Sequence, residues 1–224
     1  MVLSLFWVLL VIDSTPLLAQ LGGRTSGAQF SQVTRLLNTT LPTVNVCDAL
    51  GKPLSTASLR GSYTVLVFGC LTWPPFLRNV PSLETVAIDY APRGVKFYYI
   101  YKALAHPESN GYIQPFTLAE RLLHVQEAKR TLGSGIEWIC DNMNNELKAA
   151  LGGAPNSEFI INPAGKIIRA RGWSNATILR ADLESLVGKV TPATVVADLK
   201  MKSTAPQRST ATGVVPRMQI SSVM

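Results

Sequence analysis

The sequence predicts an α/β (α+β) domain, a central mixed β-sheet flanked by helices, over about Val44 to Gly188. Two observations carry this. Residues 65–68 (V-L-V-F) form a continuous apolar run, the mark of a strand buried on both faces. The following residues change period, with Leu77, Val80, Leu83, Val86 and Ala87 at helical spacing. Strand and helix signals then alternate along the chain, as a layered sheet domain requires.

The elements follow in order. Cys47 lies on an expected edge hairpin that opens the domain. Phe76 to Tyr90 is a helix, and Val95 to Tyr101, entered from Gly94, is the next strand. Leu118 to Leu132 is an amphipathic helix stopped by Gly133. Ile136 to Cys140 is a short strand. Asn144 to Leu151 is a short helix ended by two glycines. Residues 159–161 and 166–170, joined by a Pro163-Ala-Gly turn, form a hairpin. Thr177 to Val187 closes the domain as a helix, with Asn175 or Thr177 as its cap. The 65–68 strand is expected in the centre, between the 95–101 and 159–161 strands.

The ends read differently. The apolar run Leu3 to Ile12 is shorter than the roughly 20 residues of a membrane span, so residues 1–25 are expected to be an export signal or N-terminal anchor. A hydrophobic helix docked on the domain is the alternative. The chain is thereby expected outside the cytoplasm, secreted, periplasmic or membrane-anchored. From Thr191 to Met224 the composition turns to Thr, Ala, Ser, Pro and Val with no period, and a disordered tail is expected.

Composition bounds the chemistry. The 224 residues carry a formal net charge of +7, but the basic residues are scattered, with no nucleic-acid footprint. Three cysteines and two histidines include no C-x-x-C spacing, so neither a structural metal site nor a cofactor is predicted.

Residues 65–76 read V-L-V-F-G-C-L-T-W-P-P-F. This resembles the strand-to-helix redox turn of thioredoxin-like proteins, whose membrane-tethered forms read W-C-P-P-C. It is closer to the iodothyronine deiodinases, which read F-G-S-C-T-U-P-P-F with U for selenocysteine. Aligned so, Trp73 takes the nucleophile position, Phe76 the second-cysteine position, and Pro81 the helix-kinking proline. Residues 99–112 (Y-I-Y-K-A-L-A-H-P-E-S-N-G-Y) resemble the deiodinase stretch with E-A-H-P-S-D-G-W, which puts His106 on the family histidine. Asp141 to Asn144 resembles its D-T-M-D/A-N motif, and Pro155 falls near the cis-proline place. The resemblance implies a thioredoxin-like fold and a thiol-dependent oxidoreductase or reductive dehalogenase lineage, with a thiol reductant or small aromatic substrate as partner.

A nucleophile at a helix N-terminus is activated by exposed N–H donors and the macrodipole. Trp73 brings no such group. Cys70, three residues earlier, is the remaining candidate nucleophile, weighed against a small buried hydrophobe. His106 is a candidate proton donor or phenol-binding group, weighed against a solvated loop residue. His124 is read as a surface residue and Trp138 as core. A Cys70–Cys140 disulfide is not expected, because an intervening strand puts them about 9.5 Å apart, beyond the reach of a bridge. Two functions remain open: a deiodinase-like thiol enzyme using Cys70 and His106, or a redox-inactive binding or scaffold module presenting Trp73.

Overall fold

The structure, a computed structural model, describes residues 31–201 of the 224. The segment expected to direct export lies outside the described residues.

Among the described residues, seven strands make one mixed sheet in the order β2-β1-β5-β4-β3-β6-β7. They are β1 (Asn45–Asp48), β2 (Pro53–Ser55), β3 (Thr64–Gly69), β4 (Lys96–Tyr101), β5 (Glu137–Cys140), β6 (Glu158–Ile161) and β7 (Ile167–Arg171). β3, β4 and β5 run parallel, and the flanking hairpins β1–β2 and β6–β7 are antiparallel. β3 sits between β4 and β6, as its apolar run predicts, and all six of its residues are buried.

The two faces of β3 feed two cores. Val65 and Val67 join the cluster made with α1 (Pro74–Tyr90), α2 (Leu118–Leu132) and α4 (Ala176–Val187). Leu66 and Phe68 join the opposite cluster, with α3 (Glu146–Leu151) and with Val33 and Leu41 from the chain before the expected domain start. Each such fully buried side chain contributes about 1.5–3 kcal/mol, so substitutions in β3 are costly.

The helix ends follow their sequence signals. Thr117 and Glu120 form a capping box on α2, and Gly133 closes it in the left-handed conformation. Asn175 caps α4 by accepting from the Thr177 and Ile178 N–H groups. α1 has no side-chain cap. It does without one because its first two residues, Pro74 and Pro75, have no N–H to satisfy. Pro81 lies inside α1.

Gly69 ends β3 for a steric reason. A Cβ there would lie 2.4 Å from the ring of Phe76, which sits directly against the strand. Beyond it, Phe76 meets Tyr99 edge-on at 5.3 Å and Trp138 at 5.9 Å, so the second-cysteine position is filled by an aromatic core residue.

Two expectations are corrected. The tail expected to be disordered from Thr191 is docked over its described part. Thr194 donates through its N–H and hydroxyl to the Asp89 carboxylate, and Arg180 pairs with Asp89 and donates to the Thr194 carbonyl. Residues 196–198 form a 3-10 turn. The composition concealed this because the docking depends on a nearly buried carboxylate of α1, not on any period in the tail. Residues 202–224 lie outside the described residues. His124 is half-buried rather than on the solvated face, its ring edge-on to Tyr112 at 5.7 Å and to Tyr101 at 6.4 Å. The helical wheel gave it polar sequence neighbours, but the loop carrying Tyr112 folds over that face of α2.

Gly69→Ala is expected to cost about 1–3 kcal/mol in urea unfolding, and clearly less in a Phe76→Leu background, where the ring is gone. Equal costs in the two backgrounds would locate the strain elsewhere.

Candidate functional site

The candidate site is the turn from β3 into α1, at the carboxyl ends of the parallel strands, where α/β sheets place their ligands. The chain leaves β3 at Gly69 and turns tightly, the Trp73 N–H donating to the Cys70 carbonyl at 3.3 Å. Trp73 is the N-cap of α1, in extended backbone, and its carbonyl accepts the first intrahelical bond from Leu77 at 3.2 Å. Of the first-turn donors only the Phe76 N–H remains, since Pro74 and Pro75 have none.

The Trp73 side chain is half-buried and meets Trp173 edge-on at 6.1 Å. Trp173 follows β7 and bridges to Asn156 ahead of β6, so the pair joins three segments of the site. Beside it an open groove of about 390 Å3 is lined by Pro75, Arg78, Asn79, Trp173, Asn175 and Thr177 among others, with no acidic side chain in its wall. Asn79 fastens the groove by donating to Ser174.

Cys70 is fully buried. Its Sγ lies 3.4 Å from the Thr72 hydroxyl, and it points into the sheet–helix core rather than to the helix start. Lys102 directly follows Tyr101, the last residue of β4, which pairs with Gly69. Lys102 is 3% exposed, donates to the Ala154 carbonyl at 3.1 Å and lies over the Phe68 ring. Burial holds its ammonium down to about 8 from the usual 10.5, the neighbouring Cys70 acting upward against it. Sequence reasoning passed over both Lys102 and Trp173. A lysine closing an apolar strand was a signal for the first; for the second, an indole just after a hairpin gave little.

His106 is brought near the turn by its backbone only. It adopts a left-handed conformation at the start of a 3-10 turn, and its side chain is exposed. Asn110 ties the loop down, donating to the His106 carbonyl at 2.8 Å and to the Thr72 carbonyl at 3.4 Å. The fold therefore does not assemble a Cys70–His106 couple. One side chain faces the core and the other faces solvent.

Pro155 lies in the turn ahead of β6. The Ala154–Pro155 bond is trans, and among the described residues only Thr191–Pro192 is cis. The chain enters β6 through Asn156 and Ser157, whose carbonyl accepts from Phe68 at 2.9 Å, so the place immediately before the strand belongs to them. Asp141 is a structural group. Its buried carboxylate accepts from the Asn142, Leu147 and Lys148 N–H groups at the start of α3, and burial raises its pKa.

The three cysteines are free and buried, Cys70 and Cys140 being separated by β4 as expected. Among the described residues no group of three or more His, Cys, Asp or Glu side chains is arranged to hold a metal, and no helix is long and apolar enough to cross a membrane.

No family model and no curated protein matches the chain. Solved structures do. A thiol:disulfide interchange protein of the thioredoxin family from Chlorobium tepidum TLS is 21% identical with a TM-score of 0.51, covering 67% of this chain and 97% of its own. The fold is thioredoxin-like. A thiol:disulfide interchange protein from Bacteroides sp. is 14% identical with a TM-score of 0.53, covering 70% and 93%. An uncharacterised conserved protein from Geobacillus kaustophilus is 19% identical with a TM-score of 0.54, covering 67% and 82%. On this thioredoxin-like frame Trp73 occupies the N-terminus of α1, at the turn from β3.

The depressed pKa of Lys102 has a measurable consequence. Between about pH 8 and 10.5 the unfolded chain binds this proton and the folded chain does not, so the Lys102 contribution to stability rises with pH across that window. The Cys140 thiol, pushed up to about 12 by burial, acts in the opposite sense, so the difference between proteins is the readout. Wild type is expected to gain about 3 kcal/mol relative to Lys102→Met on going from pH 8 to 10.5, measured by urea unfolding at a series of pH values. Parallel pH profiles would show that Lys102 titrates normally.

Proposed function

We propose that this chain is a redox-inactive thioredoxin-fold binding module that presents the Trp73–Trp173 pair and its adjoining groove to a partner. One observation carries the reading: the helix N-terminus where thiol chemistry would occur holds an indole, while every cysteine of the chain is buried. A nucleophile must approach its target to about 3–3.5 Å, and a misplacement of about 1 Å can cost a hundredfold. The Cys70 sulfur faces the core, and Phe76 fills the second-cysteine place with a fully buried ring. The exposed part of the site is aromatic and cationic, a surface suited to stacking and to anionic or aromatic groups.

A second reading keeps the deiodinase lineage suggested by residues 65–76 and 99–112, with Cys70 as the working thiol and a thiol reductant or small aromatic molecule as its partner. Lys102, directly after the neighbouring strand, is what favours it, since it brings a buried basic side chain close to Cys70. Export or anchoring through residues 1–25 remains part of both readings and suits a fold shared with thiol:disulfide interchange proteins.

The two separate on thiol accessibility. Cys70 in the native protein is expected to react with iodoacetamide at least a hundredfold more slowly than in the unfolded chain, and the wild type is expected to show no reduction of insulin disulfides or of an iodothyronine above background. Native Cys70 alkylating as fast as in the unfolded chain, with turnover abolished by Cys70→Ser, would establish the enzyme reading instead.

A further inference from the structure

Away from the Trp73 turn, the structure brings together two cysteines that lie 93 residues apart in the chain. Cys47 of β1 and Cys140 of β5 are direct partners in the antiparallel register. Directly opposed residues project from the same face of a sheet. Both side chains accordingly join one apolar cluster, and both are buried and free. Opposed antiparallel residues have Cα atoms about 4.5 or 5.5 Å apart, depending on the pair type, and either value lies in the 4.4–6.8 Å range of disulfides. The Cys47 thiol already points across the seam, donating to the Cys140 carbonyl at 3.8 Å.

We propose that Cys47 and Cys140 form a cross-strand disulfide that staples the β1–β2 hairpin to the parallel core of the sheet, leaving Cys70 as the one free thiol. The inference is independent of the functional reading above, since it concerns another part of the sheet.

The oxidant is a small disulfide such as glutathione disulfide. The thiolate of one cysteine attacks it, forming a mixed disulfide and releasing one small thiolate. The second cysteine then attacks the protein sulfur of the mixed disulfide, the Cys47–Cys140 bond forms, and the other small thiolate leaves. The protein gives up two electrons and two protons, and the small disulfide takes up both electrons. In the closed fold the Cys140 thiol is pushed up to about 12, by burial first and by Cys47 beside it, and burial raises Cys47 as well. Exchange therefore proceeds while the hairpin is lifted from β5. That opening is local: only two register pairs, Cys47–Cys140 and Asp48–Ile139, join β1 to β5, supported by side-chain bonds from Asn142 to Asn45 and from Gln126 to Ala49. Weakly held edge elements open with less free energy than the whole fold. Once formed, the bridge closes a long loop, the case in which a cross-link most restricts the unfolded chain.

The test uses the full chain, purified reduced and equilibrated with reduced and oxidised glutathione in urea just below the unfolding midpoint. Denaturing alkylation and peptide mapping are expected to show one alkylated cysteine, Cys70, and a linked pair of peptides bearing Cys47 and Cys140, with two hydrogens lost from the intact mass. The oxidised protein is expected to melt about 5–15 °C higher than the reduced one, and Cys47→Ser to lose both the linked peptide and the shift. Three alkylated cysteines, glutathione adducts in place of the link, or a link that includes Cys70 would each overturn the proposal.

Discussion

The contact between the Phe76 ring and the backbone of Gly69 decides where α1 meets β3. A helix can lie against a strand end this closely only if the strand residue has no Cβ. With the ring seated there, the first turn of α1 is held over the carboxyl ends of the parallel strands. The same ring continues into Tyr99 and Trp138, so the contact belongs to a packed aromatic layer and resists small displacements. Trp73, Thr72 and the Asn110 tether all take their positions from this junction.

The junction also fixes which groups stand at the start of α1. Here Phe76 serves packing, and the space a second thiol would need is core. Trp73 cannot ionise, and its half-buried indole covers the helix start together with Trp173. The activating field of the helix remains, but no group at that position can use it. Cys70 and Lys102 are neighbours at the ends of β3 and β4, yet both lie beneath the site rather than in it.

The fold was legible in the sequence because it depends on patterns of period. The two-faced run of β3, the helical spacing after Phe76 and the cap residues Thr117 and Asn175 each have a local physical cause. The site was legible in part. The motif placed Trp73 at the helix N-terminus, but it could not tell which way Cys70 and His106 point, because side-chain direction at the end of a strand depends on the turn that follows. The motif placed Pro155 only near the entry to β6, and the residues directly before that strand are Asn156 and Ser157. The docked segment after Thr191 and the half-burial of His124 were hidden for a common reason: each depends on a partner far away in sequence, Asp89 in one case and the Tyr112 loop in the other. The Cys47–Cys140 pairing was hidden likewise, since it follows from the antiparallel register of β1 on β5.

On the proposed reading, the β3–α1 turn keeps the environment that would activate a thiol at position 73. The most direct test is the thiol pKa of the Trp73→Cys variant, read from thiolate absorbance against pH, with Cys70→Ser in the same chain to remove the neighbouring signal. A value clearly below the 8.5 of an ordinary cysteine is expected, because the new thiol sits at the N-terminus of a 17-residue helix with its dipole directed at it. A value at or above 8.5 in a folded variant would contradict the reading, showing that the turn has lost the activating environment along with the nucleophile.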